Sequence, residues 1–230
     1  MPKFWFDPRI KAYRCGYLPM KGVRPLLEKW FYPRFKVPEH KSGDKDAWRG
    51  LQRGRLVDRE ITCWANHKPT KHSKFTRMLI QAFKTWGWRP VKAQVVVGHD
   101  RALVGTAVDL LVRDKRGRFV VVEIKCGGEG YLTKSAGALE APLQTVPNCT
   151  LFHYILQLLI TQLLFKRVYK KHSLAYVVVV SNAGVRRYSP SAYSWKKLAL
   201  ETIVNKIQHI QQRKRKRSHT KRSRKKKKKT

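Results

Sequence analysis

Acidic residues are what this sequence has least of. Its 230 residues hold 14 Asp and Glu against 51 Lys and Arg, a formal net charge of +37. Solubility needs far less charge than that, and self-repulsion makes it costly. The balance implies a polyanionic partner, of which nucleic acid is the commonest. Cysteine is scarce too. Cys15, Cys63, Cys126 and Cys149 form no C-x-x-C pair and match no zinc spacing. Free thiols in a reducing compartment are the expectation, with no disulfide scaffold. Long apolar runs are missing: no stretch reaches the length that spans a bilayer. The opening residues, MPKFWFDPRIKAYRCG, contain no signal-peptide core. An intracellular protein with no membrane partner is therefore expected.

What is present suffices for a packed core, since 42% of the residues are hydrophobic. Three regions follow from composition. Residues 1–48 read as an irregular N-terminal arm rich in proline, aromatics and bases. Pro2, Pro8, Pro19, Pro25, Pro33 and Pro38 stand at a density that blocks regular helix and central strand. Aromatics interleaved with bases, as in KWFYPRFK, either stack on nucleobases or wrap the core. The apolar load of Trp30, Phe31 and Tyr32 favours wrapping.

Residues 49–212 read as the folded domain. A helix is predicted from Trp48 to about His67, with Leu56, Val57, Ile61 and Trp64 forming its apolar stripe. Ser73 opens a second helix, KFTRMLIQAFKTWG, which closes at Gly87. QVVVG and ALVGTAVDLLV read as strands, RDKRGR as a turn, and FVVVEIK as the strand that pairs back. A loop rich in glycine and small residues leads to an apolar helix, LFHYILQLLITQLLFKRVY. Another buried strand, SLAYVVVVSN, follows, and a last helix from about Ser191 to Gln212. This order predicts a layered α/β domain around a mixed sheet.

Residues 213–230 contain 13 bases and no acid, a composition that builds no core. A disordered basic tail is expected. Its two basic clusters are similar to a nuclear localisation signal, which points to the nucleus, or to a host nucleus if the chain is viral. Without the tail the remainder still carries +24, so the folded domain must itself present a basic surface.

With so few acids, their positions carry information. Asp109 interrupts ALVGTAVDLLV and Glu123 interrupts FVVVEIK. A buried unpaired carboxylate is costly and tends to take up a proton. Two of them about 4 Å apart repel by about 4 kcal/mol at an effective dielectric near 20. An oxygen-ligated divalent cation, Mg²⁺ or Mn²⁺, reverses that balance. Strand alternation puts Glu123 and Lys125 on one face, with the Ile124 carbonyl between them as a further possible ligand. Lys125 is then placed to orient a water or neutralise a phosphoryl charge. The plainer alternative is an exposed ion pair at a strand end.

Asp109, followed after thirteen residues by Glu123-Ile124-Lys125, resembles the PD-(D/E)XK nuclease superfamily. The hairpin ending in EIKCG is similar to its lambda-exonuclease and RecB-like branch. RGRLVD resembles that branch's glycine-led helix, where Gly54 leads to Asp58, a carboxylate in place of the usual His or Glu. HYILQLL offers Tyr154 and Gln157 at the spacing of the branch's glutamine helix. Departures are Val108 in place of the proline before the first acid, and the lack of any cysteine after Cys149, so no iron–sulfur cluster is implied.

The resemblance implies a restriction-endonuclease-like core, a central mixed sheet flanked by helices. It further implies a metal-dependent deoxyribonuclease acting in replication, recombination or repair. An exonuclease acting on DNA ends comes first, and a structure-specific endonuclease or junction resolvase second. A non-catalytic basic DNA-binding or packaging protein is the alternative from another class. In the enzyme reading Asp109, Glu123, Lys125 and Gln157 are catalytic. Asp109, Glu123, the Ile124 carbonyl and Asp58 hold Mg²⁺ or Mn²⁺, with Glu60 competing with Asp58. Tyr154 and Arg55 contact DNA, as do Arg213, Lys214, Arg215, Lys216 and Arg217, through its backbone and without reading sequence.

Overall fold

The computed structural model describes residues 3–32, 45–127, 132–133, 137–141, 143–192, 205–206 and 209. It corrects the reading of residues 1–48 as irregular. β1 (Phe4–Asp7), β2 (Ala12–Cys15) and β3 (Leu18–Pro19) form a small antiparallel sheet, β4 (Lys21–Gly22) joins the central sheet, and α1 spans Val23–Trp30. Proline position explains the error. Pro8 lies in the β1–β2 turn, Pro19 ends β3, and Pro25 stands in the first turn of α1. None of these places needs a proline N–H. Phe31 and Tyr32 are buried, as their apolar load requires.

The long helix α2 spans Lys45–Ala65 and α3 spans Lys74–Thr85. β5 (Arg89–His99), β6 (Val104–Arg113) and β7 (Phe119–Cys126) follow as an antiparallel meander. α4 (Thr150–Tyr169) then crosses over to β8 (Ser173–Ser181), which lies parallel to β7, and β9 (Gly184–Tyr188) closes the far edge. The result is a mixed α/β fold whose central mixed sheet is flanked by helices. β9 falls between the predicted strand and the predicted last helix and was not expected from the sequence. Of that last helix residues 191, 192, 205, 206 and 209 are described: the first two end a short 3-10 helix, Pro190–Ala192, and the other three are helical. The tail, residues 213–230, lies outside the described residues.

Two cores sandwich the sheet. On one face α1 and α4 pack against Val108, Leu111, Val121, Val177 and Val179. On the other, α2 and α3 pack against Leu110, Val112, Val120, Val122, Val178 and Val180. Strand alternation supplies both sets from the same apolar runs.

The sheet contains a notch. β6 pairs with β5 along one edge, while its other edge meets β4 at Val104–Gly105 and β7 at Leu110–Arg113. Residues 106–109 of β6 lie between those partners. The β6–β7 ladder stops at Leu110–Val122, and from Glu123 to Cys126 strand β7 pairs only with β8. The strands thus part at the level of Asp109 and Glu123.

Candidate active site

Both carboxylates stand where the ladder opens. Asp109 Oδ2 accepts a hydrogen bond of 2.9 Å from the Ile124 N–H, so the side chain takes a donor the strands no longer pair. Glu123 is 2% exposed, and its Oε1 accepts from Lys125 Nζ at 2.6 Å and Gln157 Nε2 at 2.8 Å. Gln157 reaches it from α4, which covers that face. Lys125 Nζ also lies 4.7 Å from the centre of the Tyr154 ring, one turn before Gln157 on the same helix. Asp109, Glu123, Lys125, Gln157 and Tyr154 are therefore together.

Asp58 approaches from α2 on the opposite side. Its Oδ1 accepts 2.6 Å from Gln94 Nε2, and it is electrostatically coupled to Lys125 and Glu123. Desolvation comes first among the causes that raise its pKa, although the residue keeps an exposed surface, and the Glu123 charge adds to it. Gln94 escaped the sequence reading. It lies on β5 between Ala93 and Val95 with φ +51°, in the left-handed region that non-glycine residues rarely enter. Ala93 and Val95 pack into opposite cores although they are two residues apart, and so do their partners Leu110 and Val108. An uninterrupted strand would keep each pair on one face. The flip occurs at the level of Gln94 and Asp109, where Gln94 donates to Asp58 and Asp109 accepts from Ile124 across the notch.

Tyr13, from the N-terminal sheet, was also missed. It comes up against Thr106 and Ala107 of β6, in the gap beside that strand. Burial raises its pKa, and the nearby Asp109 and Glu123 charges raise it further. No local sequence signal links Tyr13 to a site that lies about a hundred residues away.

Glu60, the competitor for the role of Asp58, is committed elsewhere. It is 5% exposed and its Oε2 accepts from the Ser73 N–H at 2.9 Å and Ser73 Oγ at 2.8 Å, which secures the start of α3. Burial would raise its pKa, but hydrogen bonds from Thr76 and Ser73 bring it below the usual carboxylate value. Glu60→Ala should therefore act on stability, losing about 1–3 kcal/mol as buried donors lose their acceptor. Thermal melting checks this. An unchanged melting temperature would show that Glu60 does not anchor α3.

The charge balance bears on a metal. Three acids, Asp109, Glu123 and Asp58, surround one lysine. Burial and then the Glu123 charge push the Asp109 carboxyl up to about 8, with Lys125 pulling the other way and Asp58 adding to the rise. Burial would lower the Lys125 pKa, yet Glu123 and Asp109 raise it above its ordinary value. With all three acids ionised the site would hold more negative charge than Lys125 neutralises, and Asp109 keeps a proton instead. The hydrogen bonds described leave Asp109 Oδ1 and Glu123 Oε2 out. Hard oxygen donors that need a further cation before they can all ionise fit Mg²⁺ or Mn²⁺. Among the described residues, no group of three or more His, Cys, Asp or Glu stands close enough to hold a metal together. Protein ligation there would thus come from the carboxylate pair, with Asp58 bordering the site.

Of the remaining sequence-predicted residues, Arg55 is exposed on α2, and the Ile124 side chain packs into the α2–α3 core. Arg213, Lys214, Arg215, Lys216 and Arg217 lie outside the described residues. No family model matches the chain, and no curated protein matches it. Among solved structures, "Crystal structure of SSO0001" aligns over 48% of this chain and 45% of that one, at 16% identity and a TM-score of 0.29. An overlap that slight carries no argument about fold or function.

Proposed function

We propose that this protein is a metal-dependent deoxyribonuclease built on a restriction-endonuclease-like core. The observation that carries the reading is the notch, where Asp109, Glu123 and Lys125 meet at parted strands in a chain of net charge +37. Asp109 and Glu123, with Asp58 alongside, would hold the cation. When bound, such an ion supplies Lewis-acid polarisation of a phosphoryl oxygen and activation of a water.

The chain's own residues do the rest. Lys125, charged and aimed by its bond to Glu123 and its contact with Tyr154, offers a cation to the charge that develops on a phosphoryl group. Gln157 fixes the Glu123 carboxylate in the orientation that Lys125 requires. Tyr154 supplies the wall against which the lysine packs. Basic side chains bind the nucleic-acid backbone without reading sequence. The family resemblance favours DNA ends over internal sites.

The test is incubation of the full chain with linear or circular DNA, single- or double-stranded, in Mg²⁺ and in EDTA. Cleavage in Mg²⁺ alone supports the reading, and loss of linear substrate with circles spared assigns an exonuclease. DNA bound equally well in both solutions and left uncut would make this a non-catalytic binding protein.

A further inference from the structure

The exposed side of α2 carries an unusual combination. Trp48 and Leu51 remain 63% and 53% exposed, a large apolar load to leave in water. They belong to a ridge, Trp48, Leu51, Arg55 and Asp58, spaced by three, four and three residues, so all lie along one side of the helix. Val57, Ile61 and Ala65 turn the neighbouring side of the helix into the core, so the ridge runs along the border of the buried stripe. The ridge ends at Asp58, beside the carboxylate pair.

We infer that this ridge is a binding track for unpaired, single-stranded DNA that leads the chain into the site at Asp58. The inference rests on the nuclease reading for the end of the track. Charge complementarity names the occupant, because Arg55 stands within the ridge and Arg59 beside it, in a protein of net charge +37. An exposed indole selects unpaired bases, whose faces are free to stack, over those closed inside a duplex. Ten residues separate Trp48 from Asp58, about 15 Å of helix. That matches about four nucleotides at the 3.4 Å spacing of stacked bases.

One of the two glycines in this stretch of α2 agrees with this placement. Gly50 and Gly54 sit inside α2 at four-residue intervals before Asp58, where glycine weakens a helix. A Cβ added at either would meet nothing within 4 Å, so packing inside the protein does not demand them. Gly54, three residues after Leu51 and four before Asp58, leaves bare backbone beside the track, where a ligand can approach closely, whereas Gly50 shares the side of Val57.

The experiment is fluorescence anisotropy of the full chain with a labelled oligothymidylate and with a duplex of equal length, in EDTA and moderate salt. Trp48→Ala should weaken oligothymidylate binding about tenfold, the loss of one stacked base. Trp48→Phe should keep most of it, and duplex affinity should hold. Leu51→Asp, which sets an acid among the phosphates, should reproduce the loss by a second route. Unchanged oligothymidylate affinity in both Trp48→Ala and Leu51→Asp overturns the track, as does an equal loss on duplex. Wild-type protein that binds oligothymidylate through Trp48 but cuts nothing in Mg²⁺ overturns the nuclease reading and leaves the track standing. Cleavage of DNA by a Trp48→Ala protein that binds oligothymidylate like wild type overturns the track alone.

Discussion

Lys125→Ala is expected to lower DNA cleavage about a thousandfold, the scale of losing a positioned proton-transfer group or a charge-stabilising donor. DNA affinity should fall far less, because one base among 51 contributes little to backbone binding. A stability effect must be separated from this. Glu123 is buried, and removing Lys125 strands its charge with Gln157 alone, a change that costs about 3–5 kcal/mol in buried pairs. The double variant Glu123→Gln, Lys125→Met avoids that penalty by removing both charges at similar volume. It should melt at or above the wild-type temperature and remain inactive. A well-folded double variant that still cuts DNA would remove Glu123 and Lys125 from the mechanism.

Asp109→Asn should abolish cleavage and, without divalent cation, stabilise the fold. The sign follows from the proton. In the unfolded chain this carboxyl ionises near 3.8, whereas in the fold it keeps its proton up to about 8. Between those values the folded state binds the extra proton, so wild-type stability falls as pH rises through the window. The asparagine has no proton to lose, and its side-chain oxygen still accepts from the Ile124 N–H. Its advantage over wild type should be small at pH 4, grow through neutrality and be complete above pH 8. Each kcal/mol appears as about 2–4 °C in melting temperature for a chain of this size. Added Mg²⁺ should raise the wild-type melting temperature and leave Asp109→Asn unmoved. Parallel melting curves for the two proteins in EDTA across this pH range would show that folded Asp109 holds no extra proton.

Much of this arrangement was legible in the chain. Periodicity marked α2, α3, α4 and the apolar strands, because each buries a continuous stripe or face. Asp109 and Glu123 stood out because a carboxylate inside a β-branched run has no structural reason to be there. Their meeting required only that consecutive strands pair, which a short turn at RDKRGR enforces. Other features depend on contacts distant in sequence. Gln94 lies in QVVVG with nothing to mark a left-handed backbone, and its role appears only when β5 crosses from one core to the other. Tyr13 enters the gap beside β6 through a small sheet hidden by proline count. Pro8, Pro19 and Pro25 matter by position, at a turn, a strand end and a helix start. Glu60 resembled a ligand because it is two residues from Asp58. That interval turns it to another side of the helix, toward Ser73.

Titration of Mn²⁺ into the full-length protein, followed by electron paramagnetic resonance at neutral pH, addresses the cation pocket most directly. A saturable site in wild type that disappears in Asp109→Asn and in Glu123→Gln is the expected result. Mn²⁺ binding that is absent from wild type, or that persists undiminished in both variants, would contradict a cation site between those two carboxylates.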